Sequence, residues 1–408
     1  MLTKYEFLKI LRKKSTLIVM MVSLLVTAFM FGLPVLQFQT YSQDGVIKGL
    51  DGIAYEKEQT AAYSVSLTNE YITETIRDVQ QLIENPDNVG FDGYERFLIE
   101  DAYWSGIAPR EKLLDMIAKN YANPNESAGY NSLPEVDISG GTDFYAARQE
   151  KIEKLINTSS RAMSEEQKAY WLNMNSKVNE PFSYGYYTGW NIIISSFELL
   201  MFALLAVCIV IAPVFSGEYQ AGTDAVILSA KYGKTKLTTA KIIASYLFGG
   251  LAFTLHVVVA FGLPLVAFGF DGWDLPLQIA NTTIPYPFTF LQAALVNLCV
   301  IYLVLFAMIG FTLMLSAKVK SPYLVLIVLV PVLFIPLFLS PNGTTGAYNL
   351  TLFLLPYRST IPELGKYISY QFGGLALDVF TMRVILYALL TVITLPIARI
   401  CFKKHQAT

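Results

Sequence analysis

Residues 190–215 read WNIIISSFELLMFALLAVCIVIAPVF, and residues 215–241 continue FSGEYQAGTDAVILSAKYGKTKLTTAK. The first stretch carries one charged side chain, Glu198, in 26 residues. Wound as a helix at about 1.5 Å per residue, it reaches about 39 Å, more than the roughly 30 Å of a bilayer's hydrocarbon core. The second stretch is polar and basic except for the short apolar run Ala225 to Leu228, and it ends where another long apolar run begins. A crossing, a charged turn and a second crossing in immediate succession predict a polytopic membrane protein built from helices.

The same reading extends outward to an all-α, polytopic membrane protein with six transmembrane helices. They are expected over 15–38, 190–215, 242–270, 288–317, 322–340 and 380–402. Between them lie a cytoplasmic segment 1–14, an extracytoplasmic helical domain 39–189 between the first two spans, a cytoplasmic loop 216–241, an outer loop 271–287, a cytoplasmic turn 318–321, an outer stretch 341–379 and a tail 403–408. The sixth span has only Val384 to Ala398 uncharged between Arg383 and Arg399, so it requires both arginines to snorkel toward the interfaces. Composition agrees: in 408 residues, 54% are hydrophobic against 15% charged, and the mean hydropathy is +0.44. That balance excludes an ordinary water-soluble globule.

Charge sorts the chain across the bilayer. Residues 39–190 hold 13 Lys+Arg and 24 Asp+Glu, a net of −11, which leaves 17 basic and 8 acidic residues, or +9, elsewhere. Fourteen Lys and Arg fall on one side: Lys4, Lys9, Arg12, Lys13 and Lys14, then Lys231, Lys234, Lys236 and Lys241, then Lys318 and Lys320, then Arg399, Lys403 and Lys404. The positive-inside rule makes that side cytoplasmic, so both termini are expected in the cytoplasm of a cell carrying this protein in its plasma membrane. A cleaved signal peptide is the competing reading of the N-terminus. The first apolar run is too long for its hydrophobic region, and no small-x-small site follows Gln37.

The outer domain reads as helical. Leu67 to Glu84, Arg110 to Asn120 and Asp143 to Met163 carry apolar residues at three- and four-residue spacing, and Ser164 to Gln167 has the form of a capping box. It contains no cysteine, so helix packing must hold it together, a state expected of bacteria lacking an oxidising periplasm. Sequons at Asn125, Asn157, Asn281, Asn342 and Asn349 would all lie outside and represent the opposing, eukaryotic reading. The run FSYGYYTGW (182–190) is expected to form an aromatic belt at the interface.

Catalytic and metal chemistry is not expected. Two histidines, His256 and His405, and three cysteines, Cys208, Cys299 and Cys401, build neither a three-histidine nor a four-cysteine site. The triplet Gly233-Lys234-Thr235 lacks the glycine five residues earlier that a phosphate loop needs, because that position is Leu228. Any ATP and Mg must therefore sit on another chain, and nothing suggests nucleic acid.

Glu218 followed at four and five residues by Gly222 and Thr223, directly after the second span, resembles the permease subunits of ABC-2 type exporters, in which this pattern begins the coupling helix. The resemblance implies that Glu218, Gly222, Thr223, Asp224, Val226, Ile227, Leu228 and Lys231 meet cytoplasmic ABC ATPase subunits. Glu218 is expected to cap the coupling helix. Tyr5 to Leu11, before Arg12-Lys13-Lys14, resembles the family's amphipathic connecting helix, with Tyr5, Leu8 and Leu11 facing membrane lipid. Residues 341–378 resemble its short re-entrant helices, whereas an outer domain this large departs from many members. The implied function is outward transport of a peptide, antibiotic or other amphipathic solute by a dimer with a second copy or a related permease.

Ionisable and polar residues inside spans mark a translocation pathway, here Glu198, His256 and Asn297. Counted from the outer boundaries, they lie about 12, 21 and 14 Å deep. Two other functions compete: a non-transporting sensor or mechanotransmission subunit that binds a ligand or partner through the outer domain, and a secondary transporter, which should show an internal repeat that this chain lacks.

Overall fold

The computed structural model describes residues 2–91, 93, 96–124, 126–158 and 161–404. The sequon at Asn125, the histidine His405 and residues 405–408 of the expected tail lie outside the described residues.

In chain order the elements are α1 (Leu2–Leu11), α2 (Lys14–Leu36), the hairpin β1 (Gln39–Ser42) and β2 (Gly45–Lys48), α3 (Gly49–Ala61) and α4 (Asn69–Glu84). The hairpin β3 (Val89–Phe91) and β4 (Arg96–Leu98) precedes α5 (Glu100–Gly106), α6 (Glu111–Tyr121), α7 (Phe144–Asn157), α8 (Glu165–Asn175) and α9 (Thr188–Ser195). Next come α10 (Leu200–Ile211), α11 (Pro213–Gln220), α12 (Asp224–Ser229), α13 (Thr238–Phe268), α14 (Phe290–Lys318) and α15 (Pro322–Phe334). The chain closes with α16 (Ala347–Leu352), α17 (Pro356–Ser359), the hairpin β5 (Ser369–Phe372) and β6 (Leu375–Asp378), and α18 (Val379–Lys404). Three two-stranded hairpins among the described residues qualify the all-α expectation.

Among the described residues five helices are long and apolar enough to cross a membrane: Lys14–Leu36, Phe197–Gln220, Gly233–Phe268, Phe290–Lys318 and Val379–Lys404. The expected fifth of six spans is instead a shorter apolar helix, Pro322–Leu337. Its cause is in the sequence: Pro331 stands inside α15, and a 3-10 turn at Ile335–Leu337 that contains Pro336 takes over from it. The second apolar segment is broken as well, into α9, a 3-10 turn at Phe197–Leu199, α10 and α11, which opens on Pro213. α14 packs along α18, α13 packs along α2 and α1, and α10 sits among α2, α13 and α14. Thr289 and Gln292 close a capping box at the start of α14, satisfying amides a buried helix end would leave orphaned.

Residues 39–189 fold around buried Ile72, Ile76, Leu113, Ile117, Phe144 and Ile152, which are contributed by α4, α6 and α7. The side chains of Thr68, Asp143 and Ser164 cap α4, α7 and α8, and Ser164 with Gln167 completes the box. The aromatic run 182–190 packs inward rather than forming a lipid belt. Phe182, Tyr184, Tyr186 and Trp190 are buried, and Tyr187 stacks on Phe290 with ring centres 5.0 Å apart.

This module is bolted to the membrane helices. Buried Arg148 of α7 donates to the carbonyls of Thr282 (2.7 Å) and Ile284 (3.3 Å) in the α13–α14 connection and to Asn175 Oδ1 (2.7 Å). On α8, Trp171 Nε1 donates to Ser369 Oγ (3.2 Å) while its ring meets Tyr286 and Tyr367 edge-on. Tyr170 donates to Asp378 Oδ2 (2.8 Å), and the other oxygen of Asp378 accepts from the amides of Phe380 and Thr381 in the first turn of α18. The 39–189 module thus grips the carboxylate that caps the last long helix.

Arg383 differs from expectation. It is fully buried rather than snorkelling, and its guanidinium donates to three carbonyls, Phe353 (3.0 Å), Ile361 (2.9 Å) and Arg358 (2.7 Å). Tyr387 and Tyr370 donate to Leu354 O (2.6 Å) and Leu350 O (2.8 Å). These bonds satisfy carbonyls left open where α16 and α17 end, which fixes the broken segment 347–361 against α18. Replacing Arg383 by Leu should therefore lower stability by at least about 3 kcal/mol, read as a fall in the thermal unfolding midpoint of the detergent-solubilised protein. An unchanged midpoint would contradict the clamp.

Candidate functional site

The Glu-x-x-x-Gly-Thr pattern has a local physical reason. Glu218, Tyr219 and Gln220 end α11, Ala221 is its C-cap, and Gly222 adopts φ +64°, the left-handed conformation that closes a helix C-terminus. The Gly222 amide donates to Tyr219 O (3.1 Å) and the Thr223 amide to Glu218 O (3.0 Å), so two terminal carbonyls are satisfied. Thr223 Oγ1 then donates to Glu218 Oε2 (2.6 Å). The glutamate therefore sits at the C-terminal end of α11 and does not cap the next helix: α12 has no side-chain cap.

The carboxylate is instead the hub of an ion cluster. Glu218 Oε1 lies 2.7 Å from Lys241 Nζ and 2.6 Å from Lys9 Nζ, and Lys241 Nζ lies 3.1 Å from Glu6 Oε2. Lys241 keeps only 2% of its side chain exposed, Glu218 10% and Glu6 14%, whereas Lys9 keeps 49%. Three separate pieces of chain, α1, α11 and the first turn of α13, are pinned at one point. Lys9 shows the balance of forces: burial works against its charge, yet the hydrogen bond and charge of Glu218 hold its ammonium above the ordinary lysine value. Burial, together with the like charges of Lys9 and Lys241, pushes Lys13 below it.

Next to the cluster, α12 presents Val226 to the exterior, 72% exposed, while Ile227 and Leu228 are half-buried and Asp224 is buried. Lys231 is exposed, with its ammonium 5.5 Å from the Tyr232 ring centre. Gly233 is needed for close approach, because a Cβ there would stand 1.6 Å from Ile227 O. The Gly-Lys-Thr triplet is therefore a packed turn against α12.

The residues expected to mark the translocation pathway divide. Glu198 Oε2 accepts from Tyr357 Oη (3.3 Å), and Asn297 Nδ2 donates to Thr360 O (3.2 Å), so both reach the segment around α17. His256 does not join them; its Nε2 lies 2.9 Å from Ser23 Oγ on α2. Among the described residues no group of three His, Cys, Asp or Glu side chains could hold a metal ion.

Sequence reasoning missed Lys9 and Lys241 as partners of Glu218, and Glu6 as the second partner of Lys241. One signal was available: Lys241 opens an apolar run in which an unpaired lysine would be costly. Removing a buried partner strands charge, so Lys241→Ala should cost about 3–5 kcal/mol. Lys9→Ala, at a half-exposed pair, should cost about 1 kcal/mol or less. Equal shifts of the two variants in thermal unfolding would contradict the asymmetry.

The sequence profile described as "ABC-2 family transporter protein" matches residues 1–406. No curated protein and no solved structure matches the chain. The match covers the N-terminal helix, the 39–189 module, the ion cluster and all five long apolar helices among the described residues. The chain belongs to the ABC-2 family of transporter proteins and is a multi-pass permease subunit of an ABC transporter, a family that works with ABC ATPase subunits.

Proposed function

We propose that this permease is the membrane half of an ATP-driven exporter that moves a peptide, antibiotic or other amphipathic solute outward across a bacterial plasma membrane. The observation that carries the coupling site is the buried Glu218–Lys241 pair next to α12, which exposes Val226. A helix standing on a fixed charge joint transmits a push rather than absorbing it. The ATPase would grip Gly222, Thr223, Asp224, Val226, Ile227, Leu228 and Lys231, with α1 alongside. ATP and Mg belong to the ATPase, and this chain performs no catalysis. Two permeases, identical or related, would enclose the pathway, and two ATPases would drive it.

In this reading α15 with its following turn is a short fifth crossing. The 14 cytoplasmic cations support an arrangement with both termini inside and residues 39–189 outside. Glu198 and Asn297, which meet the α17 segment in one region, would line the pathway, while His256 serves packing against α2. A sensor or mechanotransmission subunit is the second reading, favoured by the grip of Tyr170 on Asp378 at the start of α18. ATP-dependent solute flux in liposomes holding permease and ATPase separates the two.

Deleting Gly222 to Ala230 while preserving membrane insertion should abolish copurification of the ATPase; retained copurification would sink the coupling assignment. Transport by Glu198→Gln should fall with little change in thermal stability. Normal transport by that variant would remove Glu198 from the pathway, and lost stability instead would make it a helix-packing contact.

A further inference from the structure

A cavity of about 280 Å³ opens at the joint between α1, α11 and α13, bounded by Lys9, Lys13, Lys241, Glu6, Glu218 and Thr223 among others. This is far more room than one water needs. Its charges do not cancel. Lys241 and Lys9 occupy the Glu218 carboxylate and Lys241 also reaches Glu6, so both acids are spent internally. Lys13 at the mouth has no carboxylate within ion-pair distance among the described residues, and neither have its exposed neighbours Arg12 and Lys14. Beside this cationic rim, Leu2, Tyr5 and Leu11 on α1 and Leu17, Ile18 and Met21 on the first turns of α2 stay exposed. Excess positive charge adjoining an apolar surface at the start of a membrane-length helix matches one occupant in both charge and hydrophobicity.

We propose that this cavity mouth is a binding site for the phosphate of an anionic phospholipid, held by Lys13 with Arg12 and Lys14, its acyl chains lying along the exposed apolar residues of α1 and α2. A zwitterionic lipid offers the same chains without net charge, and free phosphate offers the charge without chains, so the two controls separate headgroup charge from a soluble anion. The bound lipid would brace the joint at which the ATPase is proposed to act. The site rests on that reading only for its regulatory meaning, because its chemistry needs the bilayer surface alone.

The test uses the purified full-length permease in detergent, without ATPase. Phosphatidylglycerol, phosphatidylcholine of the same chain length and inorganic phosphate are titrated separately, and binding is read by lipid retention in native mass spectrometry and by thermal shift. Phosphatidylglycerol should bind more tightly than phosphatidylcholine and weaken with added salt. Lys13→Gln should weaken it about fivefold, the triple variant Arg12→Gln, Lys13→Gln, Lys14→Gln about a hundredfold, and Lys13→Arg should retain it. The lipid-free unfolding midpoint, measured for each variant, excludes misfolding. Equal affinity for the two lipids, or undiminished binding by the triple variant, would overturn the site, and phosphate binding as tightly as phosphatidylglycerol would overturn its assignment to lipid. None of these results bears on ATPase copurification, so the site and the coupling assignment fail separately.

Discussion

A lysine ammonium with almost no access to water must be paid for by its partners, and Lys241 has three: Glu218, Glu6 and the carbonyl of Val214 at 3.4 Å. Because those partners come from α1 and α11 while Lys241 belongs to α13, satisfying one charge fixes three segments at once. Losing any carboxylate leaves charge in a poorly hydrated place, which costs several kcal/mol, so the arrangement is held as a unit. The closing turn of α11 follows from it. Gly222 must take a left-handed conformation so that Thr223 can turn back and complete the coordination of Glu218, and α12 then leaves the joint at a set angle.

The opposite end of the molecule is governed by backbone carbonyls rather than by paired charges. The short helices α16 and α17 expose carbonyl ends that water would serve in a soluble protein. Here Arg383, Tyr387 and Tyr370 serve them from α18 and β5. Arg148 does the same for the α13–α14 connection from the 39–189 module. The large module and the last long helix thus share a hydrogen-bond network through Tyr170 and Asp378.

Much of this was legible in the sequence, and the limit has a physical form. Helices set by local chemistry could be read: α14 from its apolar length, α7 from the periodic stretch that begins at Asp143, and α8 from Ser164 and Gln167. The Glu218, Gly222 and Thr223 motif was visible, but the role expected for the glutamate, capping the following helix, was the local one. Its partners lie 23 and 209 residues away, and no periodicity reports such a pairing. Arg383 shows the same limit. Beside an apolar run, local rules send an arginine to the interface, whereas the fold supplies three carbonyls that keep it inside. The proline-shortened α15 was the opposite case, since Pro331 and Pro336 stood in plain view and only hydropathy argued for a full crossing.

The most direct test of the ion joint is a double-mutant cycle between Glu218→Gln and Lys241→Met, followed by chemical unfolding of the solubilised permease. If the two charges hold the segments together, each single variant strands its partner. The double variant should then be more stable than the sum of the two losses predicts, with an interaction energy of about 2 kcal/mol or more. Additive losses would contradict the account, because they would mean that the two groups contribute to the fold independently.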